Sequence, residues 1–132
     1  MLTITTKSPY AVRALAELAR RGDGAPVPIG EIARQRDIPV QFLEGLFATM
    51  RRAGILQSQR GVKGGYSFAR PAEKVTVLEV VELLEGELVP DPEHGEVWEE
   101  MLEAVRAVLG TKTIADVAEA EAQTAGAAMY YI

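Results

Sequence analysis

Apolar residues recur at helical spacing in several separate stretches of this chain. Ala11, Val12, Ala14, Leu15, Leu18 and Ala19 fall three and four apart, which predicts an amphipathic first helix. Ser8-Pro9 predicts its start, with the serine as cap and the proline at the first helical position. Gly22 and Gly24 predict its end. Pro28-Ile29 opens a short second helix with Ile29, Ile32 and Ala33 on one face, and Asp37-Ile38-Pro39 breaks the chain tightly. Phe42, Leu43, Leu46, Phe47 and Met50 form the apolar stripe of a third helix that stops at Gly54.

The periodicity then changes. Ile55 to Gln59 and Tyr66 to Ala69 read as two short strands joined by the glycine-rich loop Arg60-Gly61-Val62-Lys63-Gly64-Gly65. Thr76-Val77-Leu78-Glu79 is a capping box that starts a fourth helix ending at Gly86. Residues 87–96, with two prolines, read as a loop. A long amphipathic helix follows, carrying Val97, Trp98, Met101, Leu102, Val105, Val108 and Leu109 and ending at Gly110. Thr113-Ile114-Ala115-Asp116 caps a last, short helix. The Ala/Gly-rich stretch 122–128 is expected to be mobile, and the chain finishes on the apolar tail Met129-Tyr130-Tyr131-Ile132. No internal repeat is visible.

Three short helices followed by a two-stranded hairpin is the order of a winged helix-turn-helix. The fold class expected is therefore mainly α with a small β-hairpin: a winged helix-turn-helix domain over residues 1–74, and a helical dimerisation and regulatory region over residues 75–132. In such a domain the third helix enters the major groove of DNA with its N-terminal residues toward base edges. Gln41 and Glu44 lie three apart, opposite Phe42, Leu46 and Met50. Glutamine can read adenine and glutamate can accept from cytosine N4. An ordinary solvated helix face would show the same two residues.

The hairpin tip is more specific. It packs Arg60 and Lys63 among Gly61, Gly64 and Gly65, ahead of Tyr66. Glycines let a backbone approach a phosphate, and arginine suits a narrow minor groove. A nucleotide-binding loop would need a Gly-Lys-Ser/Thr ending and a helix after it, and has neither here. A plain surface hairpin is the remaining alternative. Lys7, Tyr10, Arg51 and Arg52 flank the helices and can touch phosphates.

Composition bounds the chemistry. With 132 residues, 48% of them hydrophobic, the chain can pack a core without covalent staples. It has no cysteine, which excludes disulfides, thiolate zinc sites and cysteine-held iron–sulfur clusters within this chain. The lone His94 cannot build a metal site without carboxylates, and no nucleophile–base set or metal spacing points to an enzyme. The expected cofactor set is empty.

The net charge of −5 argues against nucleic acid until its distribution is considered. Residues 1–74 hold 12 Lys/Arg and 6 Asp/Glu, whereas residues 75–132 hold 2 and 13. A basic first part and an acidic second part imply two tasks. Carboxylate pairs such as Glu99-Glu100 and Glu119/Glu121 read as solubilising surface. The polar start and the lack of a long apolar run lead to an expectation of a cytoplasmic protein with no membrane contact.

The long helix has too broad an apolar face to stand alone. The simplest cover is a symmetry mate, with Trp98, Met101, Leu102, Val105 and Leu109 at a homodimer interface and Trp98 as anchor. Packing of Trp98 on its own chain is the alternative.

Four segments together carry a family likeness: Thr6 to Leu15, Phe42-Leu43-Glu44-Gly45-Leu46, Ala53-Gly54-Ile55-Leu56, and Arg60 to Tyr66. The chain resembles the Rrf-type winged-helix transcriptional regulators over nearly its whole length. The resemblance implies a homodimer with crossed long helices, a recognition helix in the major groove and a wing in the minor groove of double-stranded DNA. Carried across, Gln41 and Glu44 would read bases, Arg60 with its glycines would form the wing, and Lys7, Tyr10, Ser58 and Tyr66 would contact the DNA backbone. Many family members hold a cluster through three cysteines in the loop before the long helix, but Glu87 to Glu96 contains none.

The likeness is therefore to the cluster-free branch that controls cysteine metabolism. It implies a dimeric repressor on a pseudo-palindromic operator of cysteine or sulfur genes. Gly45 and Pro39 depart from commoner family residues, which leaves the DNA sequence read open. A second reading is a protein-interaction regulator that docks its tail, Tyr130, Tyr131 and Ile132, into a metabolic enzyme; the resemblance implies cysteine synthase. Docking of the tail on its own dimer is the alternative.

Overall fold

The computed structural model describes the backbone of residues 3–130 and the side chains of residues 3–126. Three helices come first: α1 (Lys7–Arg21), α2 (Ile29–Arg36) and α3 (Val40–Arg52). Strands β1 (Leu56–Gln59) and β2 (Gly65–Phe68) follow as an antiparallel pair, with Leu56 opposite Phe68 and Gln59 opposite Gly65. A short 3-10 turn at Ala72–Lys74 leads into α4 (Val77–Glu85). A second 3-10 turn, Pro92–His94, precedes α5 (Glu96–Gly110), and α6 (Ile114–Tyr130) closes the described chain. This is the expected class, mainly helical with one small hairpin. No helix among the described residues is long and apolar enough to cross a membrane.

The core forms where the predicted stripes meet. Ala11, Ala14 and Leu15 of α1, Ile32 of α2, and Leu43, Phe47 and Met50 of α3 are essentially fully buried. Val75, Val80 and Ile114 belong to the same cluster. The step in charge near residue 74 thus divides surface character, while one core runs beneath it.

Three local expectations are corrected. The first helix starts two residues early, with Thr6 as its N-cap and no side-chain cap bond. Ser8 is instead buried, and its hydroxyl donates to Glu85 Oε2 of α4 at 2.8 Å. A tertiary acceptor has drawn the serine away from the local role that its type favours.

The capping box at α4 is only half made. Thr76 Oγ1 accepts from the Glu79 amide at 3.1 Å, but the Glu79 carboxylate pairs with Arg70. At α6 the box is reciprocal: the Thr113 amide donates to Asp116 Oδ2 at 2.9 Å, and the Asp116 amide donates to Thr113 Oγ1 at 3.0 Å. Hydrogen bonding from Thr113 holds the Asp116 carboxyl below the usual carboxylate range.

The third correction is the largest. The last helix is not short, and 122–128 is not a break: α6 runs 17 residues through the Ala/Gly-rich stretch. Alanine is the best helix former, so the composition that argued for mobility supports helix instead. The α5–α6 corner is fixed at α4's start, where the Val77 amide donates to the Lys112 carbonyl at 2.8 Å and the Ile114 amide to the Val75 carbonyl at 2.9 Å.

Candidate nucleic-acid interface

The turn before α3 sets up its exposed start. Asp37 adopts φ 54°, the only left-handed non-glycine among the described residues, and its amide caps the Ala33 and Arg34 carbonyls at the end of α2. Aspartate tolerates this conformation better than most side chains. Pro39 then sits at the N-cap of α3. Only three residues join the two helices, so the end of α2 fixes where α3 begins.

On α3 the two faces separate cleanly. Leu43, Leu46, Phe47 and Met50 are buried, while Gln41, Glu44, Arg51 and Arg52 are exposed. Gly45 is exposed too, with open space where a Cβ would stand. Phe42 is half-buried; its ring meets Tyr10 edge-on at 5.7 Å, and the Arg13 guanidinium lies 5.7 Å over Tyr10. Tyr10 is thus a packing residue as well as a candidate phosphate contact. Lys7 is exposed at the first residue of α1.

At its far end, α3 is tied to the hairpin. Arg51 Nη1 lies 3.4 Å from Ser58 Oγ of β1. The Tyr66 ring stands edge-on to Phe47 at 5.0 Å, so its aromatic face serves the core. Tyr66 also exchanges backbone hydrogen bonds with Val27, at 2.8 and 2.9 Å, which adds the α1–α2 loop beside the wing.

The wing glycines divide into two kinds. Gly61 lies open at the tip with φ 109°. A Cβ on Gly64 would collide with the Gln59 carbonyl oxygen, and one on Gly65 with the Val27 carbonyl group. Gly64 also donates its amide to the Gly61 carbonyl at 3.0 Å. Gly64 and Gly65 are therefore required by close chain approach within the protein. Val62, Arg60 and Lys63 project from the tip, all exposed.

The charges at this surface share one property. Arg21, Arg36, Arg70 and Arg106 each pair with a carboxylate. Arg51, Arg52, Arg60 and Lys63 have no carboxylate partner among the described residues. Uncompensated cations on a helix end and a hairpin tip suit a polyanion.

The α5 helix presents a different surface. Leu102 is 3% exposed and sits inside the protomer, so it faces its own chain rather than a partner. Arg106 reaches Glu82 of α4 at 2.8 Å. Elsewhere on the helix Val97, Trp98 and Val108 are 70%, 51% and 60% exposed, with Met101, Val105 and Leu109 half-buried. Val97 and Val108 thus join the candidate interface and Leu102 leaves it. Of the tail, Tyr131 and Ile132 lie outside the described residues, and Tyr130 is described only as the last residue of α6.

One cluster was missed by sequence reasoning. Glu121, taken above as surface solubility, forks onto Arg36 of α2, and Glu17 of α1 joins them. Glu121 and Glu17 lie 85 and 19 positions from Arg36 along the chain, beyond any periodicity.

Comparison with known proteins accounts for this arrangement. Residues 4–120 match the Rrf2 family model, described as an iron-dependent transcriptional regulator. The transcriptional regulator CymR of Bacillus subtilis is 30% identical over 138 residues, spanning 99% of this chain and all of that one. A Synechocystis helix-turn-helix relative is 40% identical over 95 residues, which cover 72% of this chain and 65% of the relative's length. The solved structure of CymR, the global cysteine regulator of B. subtilis, superposes with a TM-score of 0.82 at 31% identity, covering 90% of this chain and 98% of that one.

The iron in the family description does not fit these residues. The chain has no cysteine, and among the described residues no three His, Cys, Asp or Glu side chains are grouped to hold a metal. His94 is exposed, with Nε2 3.6 Å from Asp91.

The chain belongs to the Rrf2 family of transcriptional regulators. Its relatives act on transcription and are not enzymes.

Proposed function

We propose that this Rrf2-family regulator is a homodimeric repressor that reads a pseudo-palindromic operator and holds no cysteine-ligated cluster. The observation that carries the reading is α3. Leu43, Leu46, Phe47 and Met50 of its apolar face are buried, and Gln41 and Glu44 stand exposed one turn apart at its start. Both side chains have the donor and acceptor groups that base edges in the major groove require. The unpaired cations Arg51, Arg52, Arg60 and Lys63, with Lys7, supply sequence-independent attraction to phosphates. The apolar stripe Val97, Trp98, Met101, Val105 and Val108 on α5 supplies the homodimer contact, and two-fold pairing makes the operator a palindrome.

Selection of bound duplexes from a random library is the direct test. Enrichment of an inverted repeat, with half-site centres about one helical turn or a multiple of it apart, is the expected result. Recovery of DNA with no repeat overturns the reading.

Similarity along the full length to a global cysteine regulator supports cysteine and sulfur genes as the targets. Chromatin occupancy elsewhere than at such genes would refute that part. The proposal that Tyr130, Tyr131 and Ile132 dock into cysteine synthase rests on the family resemblance. Calorimetry tests it: loss of binding on deleting Ile132 supports it, and equal affinity of both forms overturns it.

A further inference from the structure

The C-terminal helix reaches the last residue of α2 through an ion pair. Arg36, the last residue of α2, is 12% exposed at its side chain. Its Nη1 and Nη2 donate to the two carboxylate oxygens of Glu121 on α6, at 2.6 and 2.9 Å, and its Nε donates to Glu17 of α1 at 3.0 Å. The Arg36 carbonyl is held as well, accepting from Arg13 Nη2 at 2.7 Å. Arg13 lies over Tyr10, and Tyr10 packs on Phe42 of α3.

Side chain and main chain of one residue are thus clamped from two helices. The three-residue turn after it delivers α3 to its exposed start at Gln41. The Arg36 fork holds the Glu121 carboxyl below the usual carboxylate range, so the pair is ionised at neutral pH. A bidentate guanidinium–carboxylate pair fixes angle as well as distance.

We propose that Glu121 and Arg36 are positioning residues for DNA readout: α6 sets the end of α2, and with it the angle at which α3 presents Gln41 and Glu44. The inference rests on the DNA-binding reading above. It gives α6, which carries none of the candidate DNA contacts, a part in specificity rather than in affinity at large.

Three roles for the pair make different forecasts for Glu121→Gln. A pure charge effect would remove a negative group from a protein that binds a polyanion, raising affinity for every duplex. A merely structural effect would lower the melting temperature and leave the ratio between duplexes unchanged. Positioning lowers the ratio itself.

The experiment uses the full chain and two duplexes of equal length at one salt concentration, one selected by the wild type and one scrambled. Glu121→Gln should lose about tenfold in the selected-to-scrambled affinity ratio, and Glu121→Asp should recover part of it. Arg36→Gln should lose about as much, and the double variant no more than either single one, because both changes break the same contact. An unchanged ratio in Glu121→Gln, or losses that multiply in the double variant, overturns the proposal. Should Arg36→Gln not fold, Glu121→Gln and its Asp counterpart decide the matter alone. If the wild type itself shows no preference between the duplexes, the DNA-binding reading fails and this inference falls with it.

Discussion

The helices α3 and α5 each bury one side and offer the other, and the offers are opposite in kind. On α3, four large apolar residues are buried, and the free side is glutamine, glutamate and arginine. On α5, Leu102 alone is buried, and Val97, Trp98 and Val108 are left exposed among glutamates. The first helix is complete within its protomer, so what covers its free face must be polar. The second is only half supported, so what covers it must be apolar. Amphipathicity by itself does not separate the two cases, since both sequences show a helical stripe. The separation comes from asking which stripe the protomer has already used.

The strongest test of this contrast is in the core. Phe47 is fully buried against Tyr66. Phe47→Ala should cost the folded protomer about 3–5 kcal/mol in denaturant melts. A loss below about 1 kcal/mol would mean that α3 is not packed as described.

Trp98→Ala combined with Val108→Asp sharpens the other side. Sedimentation should show monomers, and operator affinity should fall by about a hundredfold or more, since the second half-site is no longer linked to the first. Far-UV dichroism should be unchanged. A persistent dimer would move the interface away from α5.

Smaller effects divide the polar face. Glu44→Ala should relax base preference at one operator position by roughly 1–3 kcal/mol, with little change elsewhere. Arg60→Ala should keep the preference and reduce the slope of log affinity against log salt by about 0.9. An exchange of these two signatures would mean that the wing reads sequence and the helix only holds phosphate.

Much of this architecture was readable from residue order. The stripes of α1 and α3, the Asp37–Pro39 break and the glycine-rich hairpin depend on neighbours within a few positions, and periodicity and turn chemistry report on such neighbours. Most of the misreadings share one cause, namely a partner distant in sequence. Ser8 has the residue type of a cap, but Glu85 takes its hydroxyl from 77 positions away. Leu102 belongs to the apolar stripe of α5, and only packing shows which half of that stripe faces home. Glu121 is one acidic residue among many until Arg36 is placed beside it. The length of α6 escaped for another reason: alanines carry strong helix propensity but draw no stripe.

The paired ends of α4 and α6 have a consequence for how such a protein can change. Thr76 and Thr113 bridge each other, so the chain leaves the winged body and returns to it at a single point. Everything from α4 to the end of α5 is, in connectivity, a side excursion whose two ends are already held together. Lengthening such an excursion costs little closure entropy, because each doubling of a flexible loop adds only about 0.6 kcal/mol. Its outer portion, residues 86–112, can therefore be exchanged between relatives much as a tool is changed on a common handle. That portion can lengthen or shorten while the body that carries α3 and the hairpin keeps its shape.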